Sequence, residues 1–292
     1  MIRNIYYAIV PLLVLFCALL LSCTLGYFIV QGVGDAMPFR QILTRSTQLY
    51  LVLSIYPIAR YLKISKKEFG FAPSLVFLKQ LCQGFGIGFI VLIPIFIVLY
   101  ALGINVFDQS EPWTLERLAN YMIVTLLVAL LISVIEESLF RGIVIVGLIR
   151  KLPVTAAILL TSLYYAGLHF LSIKTNLSVP DIHFFSGFVL LGEALANVVN
   201  PSNQPAFLAL LMVGIFLGVL RTQVETSLGL CIGCHTCWVW QIKMSKKLFN
   251  TNYDSDYQYL VSHYDGVIGP LVAAWLLVVV ASYFIYRHMK KA

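Results

Sequence analysis

The chain has 292 residues, of which 60% are hydrophobic and only 11% are charged. This composition excludes an ordinary water-soluble domain, because such a domain cannot bury so much apolar surface. The net charge of +7 does not indicate nucleic-acid binding, because the basic residues separate apolar runs and form no patch interleaved with aromatic residues. We therefore expect a protein of the lipid bilayer with no nucleic-acid partner.

Apolar runs long enough to cross a bilayer recur along the whole chain, since a membrane-spanning helix needs about 20 apolar residues. The eight candidate spans are 5–30, 46–62, 81–106, 119–141, 156–173, 206–221, 227–241 and 267–287. The apolar extension 142–149 either prolongs the fourth helix or lies along the membrane interface. The sequence thus predicts an all-α, polytopic transmembrane helix bundle of about eight spans, with residues 1–292 forming a single membrane domain.

The distribution of charge predicts the orientation of these spans. The connection 60–79 is rich in lysine and arginine, whereas 107–118 is mostly acidic. Positively charged loops stay cytoplasmic, so 60–79 is expected inside and 107–118 outside, with both termini in the cytoplasm. This alternation places the lysines of 242–266 outside, against the rule. The first apolar run is too long for a signal-peptide core and is expected to be a retained span.

Three ionisable residues interrupt the fourth span within six positions: Glu136, Glu137 and Arg141. A charged side chain in a membrane helix costs at least about 2.5 kcal/mol, so it normally faces the bundle and has a function. Glu137 and Arg141 are i,i+4 neighbours in the order that favours an ion pair. Glu136 is rotated by about 100° from that face. We expect Arg141 to hold Glu137, leaving Glu136 available as a general base.

Two histidines lie in other predicted spans, His169 in the fifth and His235 in the seventh. If Pro153 marks the turn between antiparallel helices, Glu136 and His169 both lie about 24–26 Å from that turn. The two side chains can then meet at one depth in the membrane. The same estimate places His235 at a shallower depth in the membrane than Glu136 and His169. That depth is still compatible with a contact among the three side chains.

These residues fall in three motifs. EESLFR at 136–141 matches EExxxR, YAGLH at 165–169 approximates FxxxH, and HTCWV at 235–239 takes the place of HxxxN. Their order and spacing resemble the CPBP family, the CAAX proteases and bacteriocin-processing enzymes that are also called the Abi family. The resemblance covers about 119–241, which is the expected catalytic core.

The resemblance implies an intramembrane endopeptidase that needs no metal. Carried over by position, Glu136 and His169 would activate a water molecule, Glu137 and Arg141 would support the site, and His235 would help to stabilise the oxyanion. The family asparagine is replaced here by Val239, which has no side-chain donor. Losing one oxyanion-hole donor can cost about 10²–10³ in rate, and the indole N–H of Trp238 is a conjectural substitute.

The stretch CIGCHTC at 231–237 also fits haem attachment, zinc or an iron–sulfur cluster. Its position in an apolar helix favours none of them, and buried cysteines commonly act as small apolar packing residues. The nearby spacing Gly229/Gly233, like Gly84/Gly88 and Gly214/Gly218, reads GxxxG and permits close helix approach. We expect no cofactor; a metal is an alternative that the pattern does not favour.

The sequence therefore predicts an endopeptidase that hydrolyses a peptide bond of a membrane-associated protein or peptide by Glu/His-activated water. The alternative is a catalytically inactive membrane protein with a structural, binding or transport role, which Val239 favours. We expect a multi-pass protein of the bacterial inner membrane whose partners are its substrate and the lipid bilayer.

Overall fold

The computed structural model describes residues 2–224 and 226–290, with side chains from Tyr7 onward. The helices are α1 (Ile2–Val33), α2 (Phe39–Tyr61), α3 (Lys66–Phe69), α4 (Ser74–Ala101), α5 (Leu115–Glu137), α6 (Ile145–Ile149), α7 (Val154–Leu168), α8 (Ser186–Val198), α9 (Gln204–Gln223), α10 (Leu228–Leu248) and α11 (Pro270–Met289). Two short strands, β1 (Asn105–Phe107) and β2 (Phe249–Thr251), pair antiparallel. The prediction of an all-α bundle is confirmed.

Five helical segments of the described chain are long and apolar enough to cross a bilayer. They are Tyr7–Ala36, Lys66–Ala101, Leu115–Ile149, Pro201–Gln223 and Pro270–Met289. The other three predicted spans correspond to α2, α7 and α10. Of these, α7 has only 15 residues, fewer than the roughly 20 that a crossing requires. Many apolar side chains on the surface of the bundle are exposed, as expected of a protein in contact with lipid.

The fourth predicted span continues without a break through 142–149, so the extension prolongs the helix. Between α5 and α6 the segment Ser138–Val144 is π-helical. Single π-helical turns inside α-helices frequently occur at functional sites. Here the segment carries Arg141, one of the three ionisable residues of this span.

Helices α4 and α10 run parallel and in close contact. A Cβ on Gly84 would lie 2.1 Å from the carbonyl oxygen of Leu230, and one on Gly233 would lie 2.0 Å from that of Leu81. No side chain fits at either position, so the backbones approach as closely as small residues allow. The GxxxG pairs in these two helices thus pack helix against helix, as the spacing predicts.

Contacts between loops agree with the predicted orientation. Glu68 of the basic loop forms a salt bridge of 2.6 Å with Arg150, so these two predicted inner segments meet at one end of the bundle. At the other end β1 pairs with β2, and Lys247 lies 2.8 Å from Glu111. The lysine that breaks the charge rule is therefore paired with a carboxylate of the neighbouring outer loop.

Replacing Gly84 by alanine should destabilise the bundle, because the added methyl group would meet the Leu230 carbonyl oxygen at 2.1 Å. Overpacking of this kind costs about 1–3 kcal/mol or more. The matched control is Gly86→Ala on the same helix, where a Cβ would have no neighbour within 4 Å. Thermal unfolding of the purified variants in detergent should give a lower midpoint for Gly84→Ala alone. Equal midpoints for the two variants would contradict this account of the α4–α10 contact.

Candidate active site

The ion pair predicted within the fourth span is present and fully buried. Arg141 Nη1 lies 3.0 Å from Glu137 Oε1, and neither side chain has any exposed surface. Arg141 also donates to the Gly214 carbonyl oxygen at 3.3 Å, and its guanidinium lies 4.8 Å from the ring centre of Tyr165. A charge held away from water in this way needs several partners, and Arg141 has them from three helices.

His235 joins this pair from α10. Its Nδ1 lies 2.8 Å from Glu137 Oε1, the same oxygen that Arg141 contacts. An ionised carboxylate only accepts hydrogen bonds, so Nδ1 carries the proton that it donates to Glu137. In the neutral ring the other nitrogen, Nε2, then has a free lone pair. The close packing of α10 on α4 holds His235 at this depth.

Glu136 has different surroundings from Glu137. Its side chain is 29% exposed, and its Oε2 lies 3.9 Å from His235 Nε2. Glu136 lines a cavity of about 650 Å³ whose walls come from α1, α2, α5, the end of α7 and α8. Its Oε2 has no hydrogen-bond partner among the described residues. The two adjacent glutamates thus have different surroundings, as the spacing predicts. Glu137 is buried in an ion pair, whereas Glu136 faces the cavity.

His169 lines the same cavity as Glu136. It lies one residue beyond the end of α7, so the prediction that it lies inside the fifth span is wrong by this small margin. His169 Nδ1 lies 2.7 Å from the carbonyl oxygen of Tyr165. Because a carbonyl only accepts, Nδ1 carries the proton and Nε2 has the lone pair. The ring can therefore accept a proton through Nε2.

Tyr165 holds the two histidines together. Its ring centre lies 4.5 Å from that of His169 and 6.1 Å from that of His235. The tyrosine is 2% exposed and also packs against Phe140 at 5.2 Å. The aromatic position of the FxxxH-like motif is therefore the packing centre between the helices that carry the site.

The structure corrects the conjecture about Trp238. Its indole N–H donates to the Gly88 carbonyl oxygen at 2.9 Å, so it is engaged in holding α10 to α4. It is not available to replace the side-chain donor that Val239 lacks. The physical reason is that Trp238 faces α4, whereas His235 faces the glutamates of α5.

The cysteines of the CIGCHTC stretch are free and buried. Cys231 and Cys234 lie within the main apolar cluster, and a Cβ on Gly88 would lie 2.9 Å from Cys237 Cβ. Within 2–224 and 226–290, no group of three His, Cys, Asp or Glu side chains is arranged to hold a metal ion. The cysteines pack the α10 interface, and the expectation that the protein uses no cofactor stays a prediction.

The structure brings the three motifs together: Arg141 and His235 share the buried carboxylate of Glu137, and Glu136 lines one cavity with His169. The family model described as type II CAAX prenyl endopeptidase Rce1-like matches residues 118–241. The resemblance to the CAAX protease family is confirmed. This Rce1-like segment is less than half of the chain and contains every predicted site residue. A search of curated proteins and a search of solved structures each found no match.

Much of the cavity wall lies outside the Rce1-like segment. Helices α1 and α2 supply one side of it, and Tyr264, from the loop before α11, also lines it. Tyr264 is not among the predicted site residues, because it lies in the predicted outer connection 242–266, which contains none of the three motifs. No local signal marks this residue; the folding of its loop into the bundle brings it to the site.

Removing one partner of the buried ion pair should lower the stability of the fold more than removing both partners. Arg141→Met leaves the Glu137 carboxylate buried beside a histidine alone, which should destabilise the fold by about 3–5 kcal/mol. The double variant Glu137→Gln/Arg141→Met should recover part of that loss, because no uncompensated charge remains. Chemical or thermal unfolding in detergent measures the stability of both variants. A double variant that is less stable than Arg141→Met would argue against a buried-charge penalty.

Proposed function

We propose that this protein is an intramembrane endopeptidase in which Glu136 and His169 activate water to hydrolyse a peptide bond. The Rce1-like match supports an intramembrane protease. The observation that carries the finer proposal is that Glu136 and His169 line one cavity while the neighbouring carboxylate, Glu137, is occupied by its ion pair. The site therefore has a carboxylate and an imidazole lone pair available to a bound water molecule.

The proposed step uses these groups without a covalent enzyme intermediate. Glu136 takes a proton from water as the water oxygen bonds to the scissile carbonyl carbon, and the carbonyl π electrons move to its oxygen. When the tetrahedral intermediate collapses, the carbon–nitrogen bond breaks and the proton passes to the leaving nitrogen. His169, its Nδ1 committed to the Tyr165 carbonyl oxygen, would orient the attacking water through Nε2.

In this proposal Glu137 and Arg141 act indirectly. They hold the His235 ring so that Nε2 faces Glu136, at 3.9 Å from its carboxylate. Catalytic groups must be held within fractions of an ångström of their working positions, and a fully buried network of charge-assisted hydrogen bonds provides that restraint.

The surroundings of the site support a membrane-associated substrate. The walls of the cavity are mainly apolar, and a second apolar cavity of about 680 Å³ shares Leu139, Phe140 and Leu168 with it. A peptide with an apolar segment or a lipid group would meet the carboxylate without leaving lipid-like surroundings. We propose a membrane protein or peptide as the substrate and the bacterial inner membrane as the location.

Glu136→Gln and His169→Gln should each abolish cleavage while leaving the protein folded, because removing a general base or its partner costs about 10²–10⁴ in rate. Purified protein in liposomes would be assayed with fluorogenic peptides ending in a CAAX sequence, with and without a prenyl group. The matched control is Glu116→Gln, an exposed acid in the first turn of the same helix α5. Cleavage by both site variants at the wild-type rate would refute the proposed roles.

The same assay separates the enzyme from the catalytically inactive protein that Val239 favours. Wild-type protein that cleaves none of the membrane-presented peptides would support a structural, binding or transport role. Adding the chelator EDTA to the assay tests whether cleavage needs a metal ion. Because the proposed step uses only protein groups, EDTA should leave the cleavage rate unchanged. A rate that falls with EDTA and returns with added metal would overturn the metal-free mechanism.

A further inference from the structure

The loop 252–269 folds back into the helix bundle after β2. Val261, Val267 and Ile268 are buried in the main apolar cluster together with residues of α4, α9 and α11. The start of the loop is tied to the connection between α4 and β1 by the backbone N–H of Asn252, which donates to the Ile104 carbonyl oxygen at 2.8 Å. The loop is therefore a packed part of the bundle, held at both ends.

A tight turn fixes the end of this loop, just before α11. Asp265 Oδ1 accepts from the backbone N–H groups of Val267 and Ile268, at 3.0 and 2.7 Å. Gly266 has φ +77°, and a Cβ there would lie 2.2 Å from Thr251 Oγ1, so only glycine fits. The backbone of Tyr264 is thus restrained by the turn that follows it, and its N–H donates to Ser262 Oγ at 3.3 Å on the preceding side.

The turn directs Tyr264 to the candidate active site. Its side chain lines the 650 Å³ cavity together with Glu136 and His169. Its ring centre lies 5.2 Å from that of Phe170, the residue after His169, and 41% of the tyrosine remains exposed. The phenol is thus supported on one side by the end of α7 and open to the cavity on the other.

The proposed hydrolysis needs a hydrogen-bond donor for the oxyanion, and the residues expected to supply one do not. Val239 has no donor, and the Trp238 N–H is bound to the Gly88 carbonyl oxygen. In the neutral ring, His235 presents the Nε2 lone pair to the site, because its proton lies on Nδ1 against Glu137. With the ring in this neutral form, the Nε2 lone pair repels an oxyanion, and the site then needs a separate donor.

Most other polar groups around the cavity are already engaged. Ser22 donates to the Ala18 carbonyl oxygen, Thr47 to that of Leu43, and the Cys23 thiol to that of Gly187. Gln48 on α2 also lines the cavity and has donor hydrogens. Tyr264 differs from Gln48 because its ring packs against Phe170, the residue next to His169, which holds the phenol beside the proposed site.

We propose that Tyr264 is a catalytic residue whose hydroxyl donates a hydrogen bond to the carbonyl oxygen of the scissile peptide bond. This inference rests on the proposed function and assigns the missing donor of the same site. Tyr264 would stabilise the developing oxyanion in place of the side chain absent at Val239.

The protonation of Tyr264 agrees with this role. Partial burial, together with the neighbouring carboxylates of Asp265 and Glu136, raises the pKa of Tyr264 to about 12. The phenol therefore keeps its proton at neutral pH and donates as a neutral group. No proton transfer from Tyr264 is needed in the step.

Tyr264→Phe removes only the hydroxyl and keeps the ring against Phe170. We expect kcat to fall about 10²–10³-fold with little change in KM, because the lost bond is formed in the transition state. Tyr259→Phe, on the same loop and 64% exposed, is the matched control and should cleave at the wild-type rate. The double variant Val239→Asn/Tyr264→Phe should regain part of kcat, since a donor returns at the position of the family asparagine.

The assay is liposome-reconstituted protein with the CAAX-terminated fluorogenic peptides, and unfolding midpoints show whether each variant is folded. Unchanged kcat for Tyr264→Phe in a protein that does cleave would overturn the role of Tyr264 and leave the proposed function intact. Loss of kcat in Gln48→Leu but not in Tyr264→Phe would assign the donor to Gln48 instead. Wild-type protein without any cleavage would refute both proposals together.

Discussion

One carboxylate oxygen connects the parts of this site. Glu137 Oε1 accepts hydrogen bonds from Arg141 and from His235, and none of the three side chains is appreciably exposed. A buried charge of this kind is tolerated only when its partners are complete, because the penalty for leaving it unpaired is several kcal/mol. The interaction therefore fixes α10 relative to α5 and determines the tautomer of His235. It also leaves Glu136, one residue earlier, as the acid that faces the cavity.

The packing of α10 on α4 allows that interaction to form. Helices in a membrane have little hydrophobic force to bring them together, so close contact depends on small residues that let backbones approach. Glycines on both helices meet the backbone of the partner, and Trp238 adds a hydrogen bond to α4. Cys234 and Cys237, beside His235, serve this same interface, whereas the Cys231 thiol donates to the Leu217 carbonyl oxygen of α9 at 3.7 Å. The CIGCHTC stretch is thus explained by helix packing, and its histidine by the contact with Glu137.

The proposed enzyme site draws on more of the chain than the Rce1-like segment. That segment supplies the acids and imidazoles, whereas α1 and α2 supply much of the apolar wall that a substrate would contact. The loop before α11 brings a phenol to the same cavity. The reactive side chains and much of the cavity wall therefore come from different parts of the sequence. Substitutions in the flanking helices can change which substrates fit the cavity without altering the charged residues.

Composition and spacing alone determined the all-α membrane class, the Glu137–Arg141 pair and the different surroundings of Glu136. These features follow from rules that act over a few residues: apolar length, helical periodicity and the cost of charge in lipid. The common depth of Glu136 and His169 stays a prediction, which the cavity that both residues line supports. Only the tertiary structure decided that His235 contacts Glu137, that Trp238 faces α4 and that Tyr264 lines the cavity. Each of these depends on how one helix or loop is rotated and seated against another, and that is set by packing between residues more than 90 positions apart in sequence.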